Sequence, residues 1–453
     1  MSHLTWNGIA AALSASLAVV AAPMTSSAAT VEVAITNDPN VRAGEPEIAV
    51  NPKNPNNIAY FVMTMKYNYN QQVGEKWAEK SFIDCYLAVS FDRGKSWRRV
   101  DNPFLMSRMT ICGDPMIAFG PDGTLYAAAD GMGVDPGRKD PDPLGEVVFS
   151  RSADGGRTWT NPVITGTPID RPWMSVDQSD GAIYLTSSCA SPDRSYCEPN
   201  TRYILSSRDK GATWTPRVPI DSPAYLAGRG GSISAAHGVL AVTYVSARIE
   251  GRTCPCLVFA TTRDTGRTWD RQVVPSSEAV GGQAQIAADP SRAGRYVNSA
   301  LAPQRNRFLL FGTDDGGKTW IKPQTVTNDP KRAQFKQWVG YSPSGVFGIV
   351  WRSSAATPEE MGVPAARTPG TPAPKTFPYD VWAAVSSDGG KTVSKPLKIS
   401  SQMSPAPDPA QQATDDVSFI TLDRTHAHFG WGDWRSGELQ GWYARTPLAD
   451  FGR

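Results

Sequence analysis

The chain has 453 residues, 19% charged and 40% hydrophobic, enough apolar residues for a large core and too many for a disordered chain. Its 45 Lys and Arg nearly cancel its 43 Asp and Glu, leaving a formal net charge of +2. That balance excludes the strongly basic character of a non-specific nucleic-acid or membrane-surface binder. Plentiful Gly (40) and Pro (37), with 14 Trp spread along the chain, point to many short strands and turns rather than a helical bundle.

From Gly8 to Ala22 the residues are almost all small and apolar, and Ser27-Ala28-Ala29 offers small residues at the cleavage positions. This predicts a signal peptide over 1–29, removed on export, and a secreted or periplasmic mature chain over 30–453. The apolar run is short for a membrane span, so no span is expected. Six cysteines fit an oxidising compartment and few free thiols. Cys189 and Cys197, eight apart in one expected hairpin, are the first pair. Cys85 and Cys112 lie 27 apart, and Cys254 and Cys256 flank Pro255. With His237, His426 and His428 the only mature-chain histidines and no Cys-x-x-Cys, no metal or other cofactor is expected.

Along the rest of the chain an eight-residue pattern recurs six times. It begins as Ser90-Phe91-Asp92-Arg93-Gly94-Lys95-Ser96-Trp97 and returns around Asp154, Asp209, Asp264, Asp315 and Asp388, at intervals of 62, 55, 55, 51 and 73 residues. Short polar Ser/Thr and Asp side chains hold a turn by bonding nearby amides, Gly supplies the positive φ, and Trp covers the hairpin. Before each copy lies a strand opening, such as Glu45-Pro46-Glu47, Asp114-Pro115-Met116 or Arg171-Pro172-Trp173. Weaker openings start near Gly231, Gln283 and Gln337, and a seventh at Asp416 has no hairpin after it. Each unit reads as four antiparallel strands, with the repeated hairpin between the third and fourth. The seventh unit supplies only three strands, and residues 30–36 at the mature N-terminus are expected to complete it and close the ring. The fold predicted is an all-β propeller of seven blades, with six as the alternative. Insertions at 67–81 and 355–378 separate strands of the first and sixth units; the second, rich in Pro, Ala and Thr, is expected to be a mobile loop.

These hairpins resemble the Asp boxes of the sialidase-like, bacterial neuraminidase repeat superfamily, and the likeness covers about residues 45–445. It implies a propeller in which the box aspartates are structural, on the rim away from the site. It implies no single activity, because sialidases, xyloglucan-cleaving hydrolases and non-catalytic receptors share the motif. The early Arg-x-Ile/Leu-Pro of sialidases is missing; Glu45-Pro46-Glu47-Ile48 stands there instead.

In a propeller the strand openings converge on one mouth. The openings bring Glu45, Glu47, Asp114, Asp170, Arg171, Arg229, Asp415 and Asp416 there, and the loops around it add Tyr67, Asp130, Arg305, Arg352 and Arg435. Paired carboxyls suit glycosidic acid/base chemistry, and arginine forks suit a substrate carboxylate or sulfate. Asp114 is the expected acid/base, with Glu47 or Asp416 as partner. Arg171, Arg229 and Arg352 are expected to bind an anionic group, with Tyr67 and Trp173 beside the sugar. Such carboxylates also bond the amides of a neighbouring blade's opening, and Trp173 and Trp338 also suit inter-blade packing. The leading expectation is a monomeric, secreted glycoside hydrolase acting on an acidic or complex glycan or polysaccharide. The alternatives are a non-catalytic glycan- or protein-binding propeller and a polysaccharide lyase with Tyr67 or His237 as base.

Overall fold

The computed structural model describes residues 31–452 except 40, 67–82, 105–108, 134–144, 169, 190–194, 200, 221, 223–230, 247–248, 253, 278–279, 363–374, 407–414 and 416. Its strands form seven four-stranded antiparallel sheets, the blades of a β-propeller. Blade 1 runs Val41–Val50, Ile58–Lys66, Ile83–Ser90 and Arg98–Val100, and the next five repeat that order. Blade 7 is Phe419–Leu422, His426–Asp433 and Gln440–Pro447, completed by Val31–Ala34 from the other end of the chain. The expected closure is therefore present: Val31 pairs with Arg445 and Ala34 with Trp442. Arg435 reinforces it, bonding Glu32 at 2.6 Å and Asp433 at 2.7 Å, so this expected mouth arginine locks the ring. Between blades the cores are apolar, as where Phe61, Leu87 and Phe104 of blade 1 pack on Ile117, Leu125 and Val148 of blade 2.

The six repeated hairpins share one hydrogen-bond scheme. In blade 3 the Ser207 hydroxyl accepts from the Gly211 amide at 2.8 Å and donates to Asp209 Oδ1 at 2.7 Å. Asp209 then accepts from the Thr213 amide and hydroxyl at 2.9 and 2.6 Å. Thr213, then Ser207, hold the Asp209 carboxyl at about 2. Gly211 has φ +80°, and a Cβ there would stand 1.9 Å from the Phe149 ring of blade 2, so the hairpin needs glycine for conformation and for room.

Two disulfides are present. Cys85–Cys112 ties the third strand of blade 1 to the first strand of blade 2, two residues before Asp114, and Cys189–Cys197 closes the loop after the second strand of blade 3. Cys254 and Cys256 differ from the expected pairing: they are thiols, their sulfurs 2.7 Å apart across Pro255. Part of the sixth-unit insertion is ordered as a short helix, Pro358–Met361, capped by Thr357 and Glu360. Among the described residues no helix is long and apolar enough to cross a membrane.

Removing residues 31–36 exposes the edge of Gln440–Pro447, so the truncated chain should lose its cooperative thermal transition or aggregate, read by calorimetry and light scattering; an unchanged transition would refute the closure. Asp209→Ala tests the hairpin. Its carboxyl titrates lower in the folded than in the unfolded state, so its stabilisation is complete above about pH 4 and lost as pH falls toward 2. The variant should melt below the wild type at pH 7, and the gap should close near pH 2.

Candidate functional site

Strand openings crowd the propeller axis, and the backbone bends to fit. Blades 1, 2, 5 and 6 shift register in their first strand, between Gly44 and Glu47, Gly113 and Met116, Gly281 and Gln285, and Phe335 and Trp338. Left-handed φ values sit at these bends: Glu45 (60°), Asp114 (42°), Gly282 (73°) and Lys336 (53°), with Arg171 (48°) at the blade 3 opening. For a non-glycine residue this geometry costs on the order of 1 kcal/mol or more, and bulges re-aim side chains. Here they turn Glu45, Asp114 and Arg171 toward one cleft.

That cleft, a narrow cavity of about 20 Å³, is lined by Glu45, Glu47, Asp114, Pro115, Met116, Arg171, Pro172, Trp173 and Val417. Two of its carboxylates also tie their blades to the next. Glu47 Oε2 accepts the Ile117 amide at 3.0 Å, and Asp114 Oδ2 accepts the Arg171 amide at 3.0 Å. Elsewhere in the ring serine makes the equivalent tie. Ser175 accepts from Ala235 at 2.9 Å, and Ser232 from Ile286 at 2.8 Å.

Burial raises the Glu47 carboxyl to about 8; the Ile117 amide opposes the shift and the Asp114 charge adds to it. Asp130, at the end of the second strand of blade 2, is raised well above the carboxylate range by burial, then by Asp114 and Asp170. A side-chain hydrogen bond to Asp114 keeps the proton on Asp130, although the Asp170 amide opposes it. At neutral pH, Asp114 thus stands beside two protonated acids. Asp130 was expected near the mouth from its place in the repeat; its raised carboxyl follows from burial, then from Asp114 and Asp170, and has no local sequence signal.

Other expected site residues have different surroundings. Arg352 is fully buried and does not face the cleft as an anion receptor. Its Nη1 and Nη2 hold Asp415 at 2.7 and 2.8 Å, Nε donates to Ser418 at 2.8 Å and Nη2 to the Val417 carbonyl at 3.0 Å. Four of its five N–H groups are thus engaged in joining blade 6 to blade 7. Trp173 lines the cleft but is only 7% exposed, and it packs on Trp338, with ring centres 4.8 Å apart, which packs on Phe419 at 5.1 Å. The two tryptophans therefore fill the axis across blades 3, 6 and 7. His237 lies in a turn on the opposite face, beside the hairpin residues Thr268 and Asp315, away from any base position at the mouth. Tyr67, Arg229 and Asp416 lie outside the described residues. Among the described residues no group of three His, Cys, Asp or Glu is placed to hold a metal ion.

The chain is 23% identical over 331 residues to a xyloglucanase of Paenibacillus, covering 67% of this chain and 29% of that protein. It is 24% identical over 337 residues to a sialidase of Bacteroides fragilis, covering 65% and 57%. It thus spans less than two thirds of either relative. Among solved structures, a Hadza microbial sialidase aligns with a TM-score of 0.47 at 17% identity, covering 82% of this chain and 74% of that one. A Dyadobacter fermentans protein of unknown function aligns at 0.46 and 15%, covering 72% and 95%. Residues 123–412 match the BNR repeat-like domain family, well over half of the chain. With its repeated hairpins and seven blades, this chain belongs to the BNR repeat-like domain family of β-propellers.

Proposed function

We propose that this propeller is an exported glycoside hydrolase whose acid is Glu47 and whose second catalytic carboxyl is Asp114. The observation that carries the reading is the pair of carboxyls in one cleft, with Glu47 held protonated to about pH 8. Hydrolysis of a glycosidic bond needs one carboxylic acid to protonate the leaving oxygen and one carboxylate to activate water or attack the sugar. Glu47 meets the first requirement and Asp114 the second, which exchanges the roles the sequence suggested. Asp130 shares a proton with Asp114 and positions it. Arg171 is the described arginine of the cleft and would meet an anionic or hydroxyl-rich sugar substituent. Glycan is also the substrate class named for the sialidase and xyloglucanase relatives, and the two disulfides suit a secreted or periplasmic protein with residues 1–29 removed.

The capping of Ile117 and Arg171 amides favours a second reading, a non-catalytic glycan-binding propeller in which both carboxylates are inter-blade ties. Against it stands the use of serine for the same tie between blades 3 and 4 and between blades 4 and 5, where no acid is needed.

The test is a screen of fluorogenic glycosides and polysaccharides, followed by Glu47→Gln and Asp114→Asn. Each amide keeps an oxygen for the backbone donor, so both variants should fold, while turnover falls by about a hundredfold or more. Wild-type kcat/KM should decline as pH rises through 8, when Glu47 loses its proton. Stability gives an independent reading. A carboxyl raised from 4.5 to about 8 favours the folded state most below pH 4.5, and that advantage disappears as pH rises to 8. Glu47→Gln should therefore flatten the fall of Tm between pH 5 and 8.5. Unchanged turnover in either variant rejects the assignment; binding without any turnover selects the second reading.

A further inference from the structure

Neighbouring blades also meet on the face that carries the repeated hairpins. There the sixth residue of one hairpin lies beside the second residue of the hairpin one blade earlier. Arg157 of blade 2 lies over the Phe91 ring of blade 1, 3.6 Å from its centre. Lys391 of blade 6 bonds Asp314 of blade 5 at 2.9 Å. In both cases the sixth residue is a cation and the second receives it. Between blades 3 and 4 the corresponding pair is Arg208 and Arg267, and Arg208 turns to Asp180 at 2.9 Å.

At the junction of blades 4 and 5 the pair is Arg263 and Lys318, two cations. Both line an open groove of about 440 Å³, and neither has an ion-pair partner among the described residues. His237 lines the same groove, with its Nε2 shielded from solvent and without a protein partner. Two carboxylates are present as well. Asp315 is held within its own hairpin by Thr313 and Thr319, at 2.6–2.9 Å. Asp270 is exposed and bounds the groove. Two exposed cations on one groove offer a bound oxyanion charge-assisted hydrogen bonds.

We propose that this groove is a second glycan site, on the face opposite the mouth, where Arg263 and Lys318 grip a sulfate or carboxylate group of an acidic oligosaccharide. The volume exceeds that of a lone inorganic anion, and the exposed Thr268 hydroxyl, which donates to Asp264 at 2.7 Å, keeps acceptor capacity for a sugar hydroxyl. The site shares no residue with the cleft, so it stands whether or not the mouth hydrolyses anything.

Calorimetric titration of the mature protein with a chondroitin sulfate hexasaccharide and, separately, inorganic sulfate tests the proposal. The hexasaccharide should bind more tightly than inorganic sulfate and weaken with added salt. Arg263→Ala with Lys318→Ala should weaken it roughly tenfold or more. Asp270→Asn should tighten it, and Glu47→Gln should leave it unchanged. Both cations are exposed, so the double variant should melt like the wild type. Absence of binding at low salt, or binding indifferent to the double variant, overturns the site. Inorganic sulfate binding as tightly as the hexasaccharide overturns its assignment to a glycan.

Discussion

The first strand of every blade is a sheet edge turned toward the axis, and its outward amides need partners that the blade itself does not supply. The ring answers with side chains from the preceding blade. Glu47 caps Ile117, Asp114 caps Arg171, Ser175 caps Ala235, and Ser232 and Ser234 cap Ile286 and Ala288. Further round, Gln337 reaches back to the Gln283 carbonyl and Arg352 reaches forward to Val417. Each blade is thereby fixed in rotation against the next, and the chain ends join in blade 7 to keep the set under closure. Unpaired inner edges and an open ring are the same defect on two scales.

This constraint places the chemistry. A tie between inner strands needs only an acceptor, and serine is the simplest choice because it brings no charge into a dry interface. At blades 1 and 2 carboxyls stand in its place, where Glu47 is buried and Asp114, Asp130 and Asp170 crowd together. A buried carboxyl next to another charge keeps its proton, and the shift of Glu47 follows from the same packing that holds the blades. Blades 6 and 7 show the contrasting solution, in which Asp415 is fully matched by Arg352 and also reached by Lys336, leaving an ion-paired wall. The mouth is therefore asymmetric: protonated acids around blades 1 to 3, a neutralised clamp at blades 6 and 7. The disulfide between Cys85 and Cys112 anchors the acidic side, close to Asp114.

The opposite face follows another rule. Its hairpins are closed by their own hydrogen bonds, so their second and sixth residues vary without loss of the turn. Phe91 with Arg157 and Asp314 with Lys391 use that freedom to join blades, while Arg263 and Lys318 line an open groove. Scaffold and surface chemistry are thus separated within eight residues.

The amino-acid sequence by itself determined the hairpins and the closure and favoured seven blades over six, which the sheet order decided. These rest on local rules: Ser/Thr and Asp fold back on amides a few residues away, Gly takes positive φ, and period-two strands lacking a fourth partner must recruit one from residues 30–36. Glu47, Asp114 and Arg171 were also legible as residents of the mouth, since an opening at fixed phase in a repeat must face the axis. Tertiary structure alone decided what each of them does. The proton on Glu47 depends on burial against blade 2, Arg352 is engaged because Asp415 arrives from beyond a long insertion, and Trp173 meets Trp338 across the axis. Pairings of this kind join residues far apart in the chain, and charge states follow from the distances and solvent exclusion that only the closed ring sets.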